Sequence, residues 1–184
     1  MKIQYFATTN DHKLREVNHI LGYALEKIHL ELTEPQEMDV EVIARAKAAE
    51  AFQKTGKPVL VEDTAWSFDV WNGLPGPFAK FFIQSVGCVG ILKMLREEQN
   101  RACMAKTVVA YHDGANVHVF SGELPGTIAT EERGMSEFGF DRIFIPDGQS
   151  QTFGEMTLEE KSAISMRALA VNKLKSFLEL SGNE

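Results

Sequence analysis

The chain has 184 residues, 24% charged and 44% hydrophobic, with a formal net charge of -7. That length buries a core without disulfide or metal staples, and the acidic balance leaves no basic patch for duplex nucleic acid or an anionic membrane surface. No apolar run approaches the roughly 20 residues of a membrane span, and the amino terminus turns polar at Thr8, too early for a signal peptide's apolar segment.

The first strand is expected where Ile3, Tyr5 and Ala7 alternate. It ends at Thr8-Thr9-Asn10-Asp11, where Asn10 or Asp11 caps a helix carrying Leu14, Val17, Ile20 and Leu21 to a stop at Gly22. A polar loop feeding a helix start turns backbone N–H groups toward the sheet edge, with Lys13 one turn in. Such a loop is most simply a plain cap, with a phosphate cradle as the alternative. Ile28, Leu30 and Leu32 alternate as a second strand, followed by the loop Thr33-Glu34-Pro35-Gln36-Glu37. Asp39 then caps a helix to about Thr55, whose apolar face of Val40, Ile43, Ala44, Ala48, Ala51 and Phe52 also carries Lys47. An inward lysine either snorkels to the rim or meets an anion.

The apolar run at residues 59–61 reads as a buried strand delivering Glu62, Asp63 and Thr64 at its carboxyl end, where open α/β sheets place ligands. Two acids there either begin a solvated turn or hold a ligand. Trp66, Phe68 and Val70 alternate as a further strand before Asn72-Gly73-Leu74-Pro75-Gly76-Pro77 forces a turn. Residues 78–98 read as one or two helices broken near Gly87 or Gly90. Residues 105–111 and 117–121 form two strands across a hairpin signal at 112–116, and 127–130 a short separate strand. A loop at 133–141 leads into a strand at 143–145. Thr157-Leu158-Glu159-Glu160 fits a capping box opening a last helix to about Leu180 on Ile164, Ala168, Val171, Leu174 and Leu178. Lys161 opposes the helix dipole there unless it has a partner, such as Glu159 or Glu160. Arg167 lies at the edge of the apolar stripe.

Cys88 and Cys103 have neither zinc-site nor disulfide spacing, so reduced thiols and a cytoplasmic location are expected. P-loop, dinucleotide and zincin motifs are absent from the sequence.

Five segments occur in a fixed order: Thr8-Thr9-Asn10 with Lys13, Val61-Glu62-Asp63-Thr64, Gly73-Leu74-Pro75-Gly76-Pro77, Phe138-Gly139-Phe140-Asp141, and residues 159–167 ending in Ser165-Met166-Arg167. Over essentially the whole chain this resembles the inosine triphosphate pyrophosphatase family, which hydrolyses deaminated purine nucleoside triphosphates to monophosphate and pyrophosphate. The Glu-Asp-Thr form is similar to the eukaryotic and archaeal branch.

The resemblance implies a single pyrophosphatase domain over residues 1–184 with an elongated mixed α/β fold. It also implies two lobes about a central cleft, a magnesium requirement and a homodimer. By position, Asp63 matches the proton acceptor and a metal ligand, and Glu34 the other metal-binding acid. Lys13, Lys47, Lys80 and Lys161 match polyphosphate lysines, alongside Thr8, Thr9, Asn10 and Thr64 in the substrate-binding segments. Phe138, Gly139, Phe140, Asp141, Met166 and Arg167 match segments around the base. On physical grounds, acids from separate loops can hold magnesium while it keeps several waters, and lysines serve as point charges on the leaving pyrophosphate.

Two departures bear on the base. The family usually has histidine where this chain has Met166 and proline where it has Arg142. A thioether is a weak acceptor, so the same chemistry with altered base preference is one alternative. A nucleotide-binding module without catalysis is another.

Overall fold

The structure is a computed structural model and describes residues 2–181. In chain order its elements are β1 (Tyr5–Ala7), α1 (Asp11–Leu21), β2 (Glu26–Ile28), α2 (Val40–Thr55), β3 (Val59–Phe68), a 3-10 turn (Asp69–Trp71), β4 (Pro75–Gly76) and α3 (Ala79–Met94). After these come β5 (Ala102–His112), β6 (Val117–Ile128), β7 (Phe144–Pro146), α4 (Leu158–Ile164) and α5 (Met166–Ser181). The strands form one sheet in the order β2-β1-β3-β5-β6-β7, with β4 folded back on β3. β1 runs parallel to β2 and β3, whereas β4 on β3 and β7 on β6 are antiparallel. The mixed α/β class expected from the sequence is what forms.

Helix ends follow local chemistry. The Asn10 side-chain oxygen accepts from the N–H groups of His12 (3.0 Å) and Lys13 (3.2 Å), and the Asp39 carboxylate from Glu41 N–H (2.9 Å). Gly22 and Gly56 close α1 and α2 in the left-handed region, at φ 79° and 64°. α3 breaks at Gly87, whose φ of 64° and ψ of 174° are non-helical.

Four expectations are corrected. β3 is one ten-residue strand, not two, because Glu62 and Asp63 find helix-borne partners and need no turn to reach water. β2 stops at Ile28 and does not extend to Leu32, because its neighbour β1 ends at Ala7, the residue paired with Ile28. Residues 127–128 close β6 and form no separate strand: Gly126 to Ile128 pair with Pro146 to Phe144 of β7. The last helix divides at Ser165, whose hydroxyl accepts from Ala168 N–H (3.1 Å) and caps α5 anew. The capping box at Thr157 does open α4: Glu160 N–H reaches Thr157 Oγ1 (3.2 Å) and Thr157 N–H reaches Glu160 (2.8 Å).

The chain divides into two compact units. One contains the chain up to Asp63, Thr107–Gly122 and the segment from Ile164 onward. Its core packs Phe6, Val17, Leu21, Leu60, Val109, Tyr111, Val171 and Leu174, placing α1 and α5 side by side. Gly122 of β6 lets α5 lie close against that strand, since a Cβ there would lie 2.1 Å from the Met166 carbonyl oxygen. The other unit contains Thr64–Lys106 and Glu123–Ala163. Its core is aromatic: Trp66 stacks on Phe140 at 4.6 Å and meets Phe144 edge-on at 4.8 Å, and Phe144 packs on Phe153.

Candidate active site

Successive side chains of a strand point to opposite faces, and β3 uses this to separate its two acids. Asp63 turns toward α2, where Lys47 Nζ donates to Asp63 Oδ1 at 2.7 Å and to Glu34 Oε1 at 2.8 Å. One ammonium therefore joins an acid on β3 to an acid of the loop before α2. Burial works against charge on Lys47, but Asp63 and then Glu34 more than offset it, so its pKa lies above the ordinary lysine value. The other oxygen of Asp63, Oδ2, is buried and has no hydrogen-bond partner among the described residues.

Glu62 turns toward α1 and α5. Its carboxylate accepts from Arg167 Nε at 2.9 Å and pairs with Lys13 Nζ at 3.2 Å. Lys13 also donates to the Glu62 backbone carbonyl at 3.2 Å, the peptide leading into Asp63. Arg167 is 1% exposed, and its guanidinium also bonds Glu16 of α1. Burial opposes its charge, and the carboxylates of Glu62 and Glu16 outweigh that penalty, raising its pKa further. In the loop before α1, Thr8 Oγ1 accepts from Asn10 N–H (3.1 Å), Asn10 caps the helix, and Thr9 is exposed.

In the second unit, Lys161 is buried and donates to both oxygens of Asp141, at 2.9 and 2.7 Å, with Phe138 and Phe153 rings each 5.2 Å from its nitrogen. This partner, not Glu159 or Glu160, answers the misplaced charge at the start of α4. Gly139 turns the loop at φ 56°, and its carbonyl accepts from the Cys88 thiol at 3.5 Å. Thr64 is half-buried on β3. Lys80 is exposed at the start of α3 and forms no ion pair with any described residue. Phe140 and Met166 are 2% and 3% exposed, so both are core side chains, as is Arg167.

A family model described as the Ham1 family matches residues 4–177. The chain belongs to the Ham1 family. It is 43% identical over 187 residues to an inosine triphosphate pyrophosphatase of Kluyveromyces lactis, with 96% of each chain covered. It is 36% identical to a dITP/XTP pyrophosphatase of Hyperthermus butylicus, covering 98% of this chain and 97% of the relative. The solved Ham1 protein of Staphylococcus aureus superposes with a TM-score of 0.84 at 25% identity, covering 100% of both chains.

In this Ham1 chain, Asp63 and Glu34 fit a divalent cation in two respects. They already share one positive charge, and Asp63 Oδ2 is a buried acceptor with its capacity unused. No group of three His, Cys, Asp or Glu side chains among the described residues could hold a metal ion. A cation taken by two acids would complete its shell with water or phosphate oxygens, as magnesium commonly does.

Glu16 is the member of the network that the sequence reading missed. It stands one position before Val17 and four before Ile20, an acid among the apolar positions of α1. That is the same kind of signal that marked Lys47 on α2.

Proposed function

We propose that this chain is a magnesium-dependent nucleoside triphosphate pyrophosphatase acting on the triphosphates of inosine, deoxyinosine and xanthosine. It cleaves between the α and β phosphates to release monophosphate and pyrophosphate. The observation that carries the reading is Asp63 and Glu34 converging on one cationic nitrogen while Asp63 keeps a buried oxygen unpartnered. The pyrophosphatase names of its relatives agree with it.

Magnesium, when bound, would neutralise phosphate charge and supply coordinated water. Asp63 and Glu34 would hold it. Asp63 is also the group placed to accept the proton of an attacking water. Lys13, set against the peptide leading into Asp63, and Lys47 act as point charges on the departing pyrophosphate. Glu62, held by Arg167 and Lys13, is a positioning residue and no cation ligand. By the resemblance, Phe138 and Asp141 are the proposed contacts of the base, and Lys161 is a proposed polyphosphate lysine. The proposed setting is the cytoplasm, and the proposed assembly a homodimer, which light scattering of the pure protein checks.

A second reading keeps the chemistry and relaxes the base preference. It rests on Met166, a buried thioether where the family usually has histidine. One experiment addresses both: turnover of standard and deaminated triphosphates with and without magnesium, scoring pyrophosphate apart from orthophosphate. Release of orthophosphate alone, or undiminished turnover in chelator, overturns the first reading. Inosine triphosphate far ahead of every other nucleotide removes the second.

A further inference from the structure

The stem of Lys47 lies on the apolar face of α2 beside Ile43, Ala44, Ala48 and Ala51, each at most 5% exposed. Its nitrogen leaves that face to bond Asp63 and Glu34 at 2.7 and 2.8 Å. Two carboxylates brought to one place repel unless a positive charge stands between them. Here the charge is a lysine that the helix supplies, and it occupies the position between the two acids assigned above to a divalent cation.

We propose that Lys47 is a placeholder: its ammonium holds Asp63 and Glu34 together in the nucleotide-free protein and must leave them before both can ligate a cation. This inference rests on the reading of those two acids as cation ligands. It has a thermodynamic consequence beyond that reading. If Lys47 leaves the acids with nothing to receive it, a largely buried ammonium loses its partners, which is unfavourable. A triphosphate gives the ammonium new oxygens at the moment the acids are released to the cation. Every charge is then paired before and after the exchange. Cation and triphosphate therefore bind with positive coupling, and each strengthens the other by the same factor. Lys47 serves as the exchange element as well as a phosphate contact.

The test is Lys47→Met, which keeps the length of the stem and removes the charge, in the full chain without nucleotide. Manganese binding is followed by the electron spin resonance of the free ion. The variant is expected to bind manganese about tenfold more tightly than the wild type, equivalent to about 1.4 kcal/mol. A non-hydrolysable inosine triphosphate analogue should tighten manganese binding to the wild type and do so less in the variant. Equal or weaker manganese affinity in Lys47→Met overturns the placeholder and leaves the two acids' role standing. No manganese binding to either protein, with or without the analogue, overturns both inferences, as does binding by Lys47→Met that survives addition of Asp63→Asn. Should the variant not fold, the wild type still decides the matter. Acetylation of Lys47 by acetic anhydride, read by mass spectrometry, should speed up at saturating manganese, and an unchanged rate overturns the proposal.

Discussion

Glu62 and Asp63, neighbours in β3, belong to different networks: Glu62 is tied to Arg167 in the core, and Asp63 to Lys47 on α2. The alternation of a strand makes the separation unavoidable, and disrupting each network should have its own signature, in turnover for one and in stability for the other.

Asp63→Asn keeps the shape of the residue and removes its charge and basicity. Loss of the proposed proton acceptor should lower the turnover number by roughly 10²–10⁴-fold. Asn leaves the largely buried Lys47 ammonium with Glu34 as its carboxylate partner, so the melting temperature should also fall, though by less than when Arg167 is lost. Pyrophosphate release and thermal denaturation on the same sample check both halves.

Arg167→Met should do the reverse of a surface change, because it leaves Glu62 and Glu16 as buried carboxylates with their principal counter-charge gone. Removing one partner of a buried pair costs about 3–5 kcal/mol, measurable as a shift in the urea midpoint. Lys13 still reaches Glu62, so Arg167→Lys should recover part of the loss.

Much of this was legible in the sequence where the signal is local. The caps at Asn10, Asp39 and Thr157 and the break at Gly87 fall where the residues suggest, since each depends on neighbours within a few positions. Lys47 stood out because it falls among the apolar positions of α2, four after Ile43 and four before Ala51. Strand lengths were not legible, because β2 ends where its partner ends and β6 continues because β7 lies beside it. The burial of Arg167 was equally out of reach. Its partners, Glu62 and Glu16, are 105 and 151 positions away along the chain.

Gly122 is open to a direct test of packing. An added Cβ would sit 2.1 Å from the Met166 carbonyl oxygen and 2.7 Å from the Ala170 nitrogen, both backbone atoms of α5. Gly122→Ala must push α5 off β6 and should cost at least about 1–3 kcal/mol. Chemical denaturation gives the loss.

The hairpin between β5 and β6 carries an acid-sensitive contact. The N–H of Asn116, the His118 ring and the N–H of Ala115 hold the Asp113 carboxyl down from 3.8 to about 2. A carboxyl whose pKa is depressed by folding stabilises the fold fully above its unfolded value and ceases to do so as pH falls through the folded one. The stability difference between wild type and Asp113→Ala should therefore be level from pH 5 to 4 and shrink toward pH 2. Urea titrations at these pH values measure it.

The two thiols should be silent in the native protein. Burial pushes Cys88 up to about 11 and Cys103 higher still, so neither supplies thiolate near neutrality. A chromogenic disulfide reagent at pH 8 should find no reactive thiol until urea is added, and two afterwards.

The restart of the helix at Ser165 makes Arg167 the second residue of α5, close to the positive end of the helix dipole. Such a site disfavours a cation, and Glu16 and Glu62 are what make it tenable. Positions 16, 62 and 167 should therefore be inherited as a set: a lineage that loses the arginine is expected to have replaced both acids as well, and a matched apolar trio is the substitution such a core would tolerate.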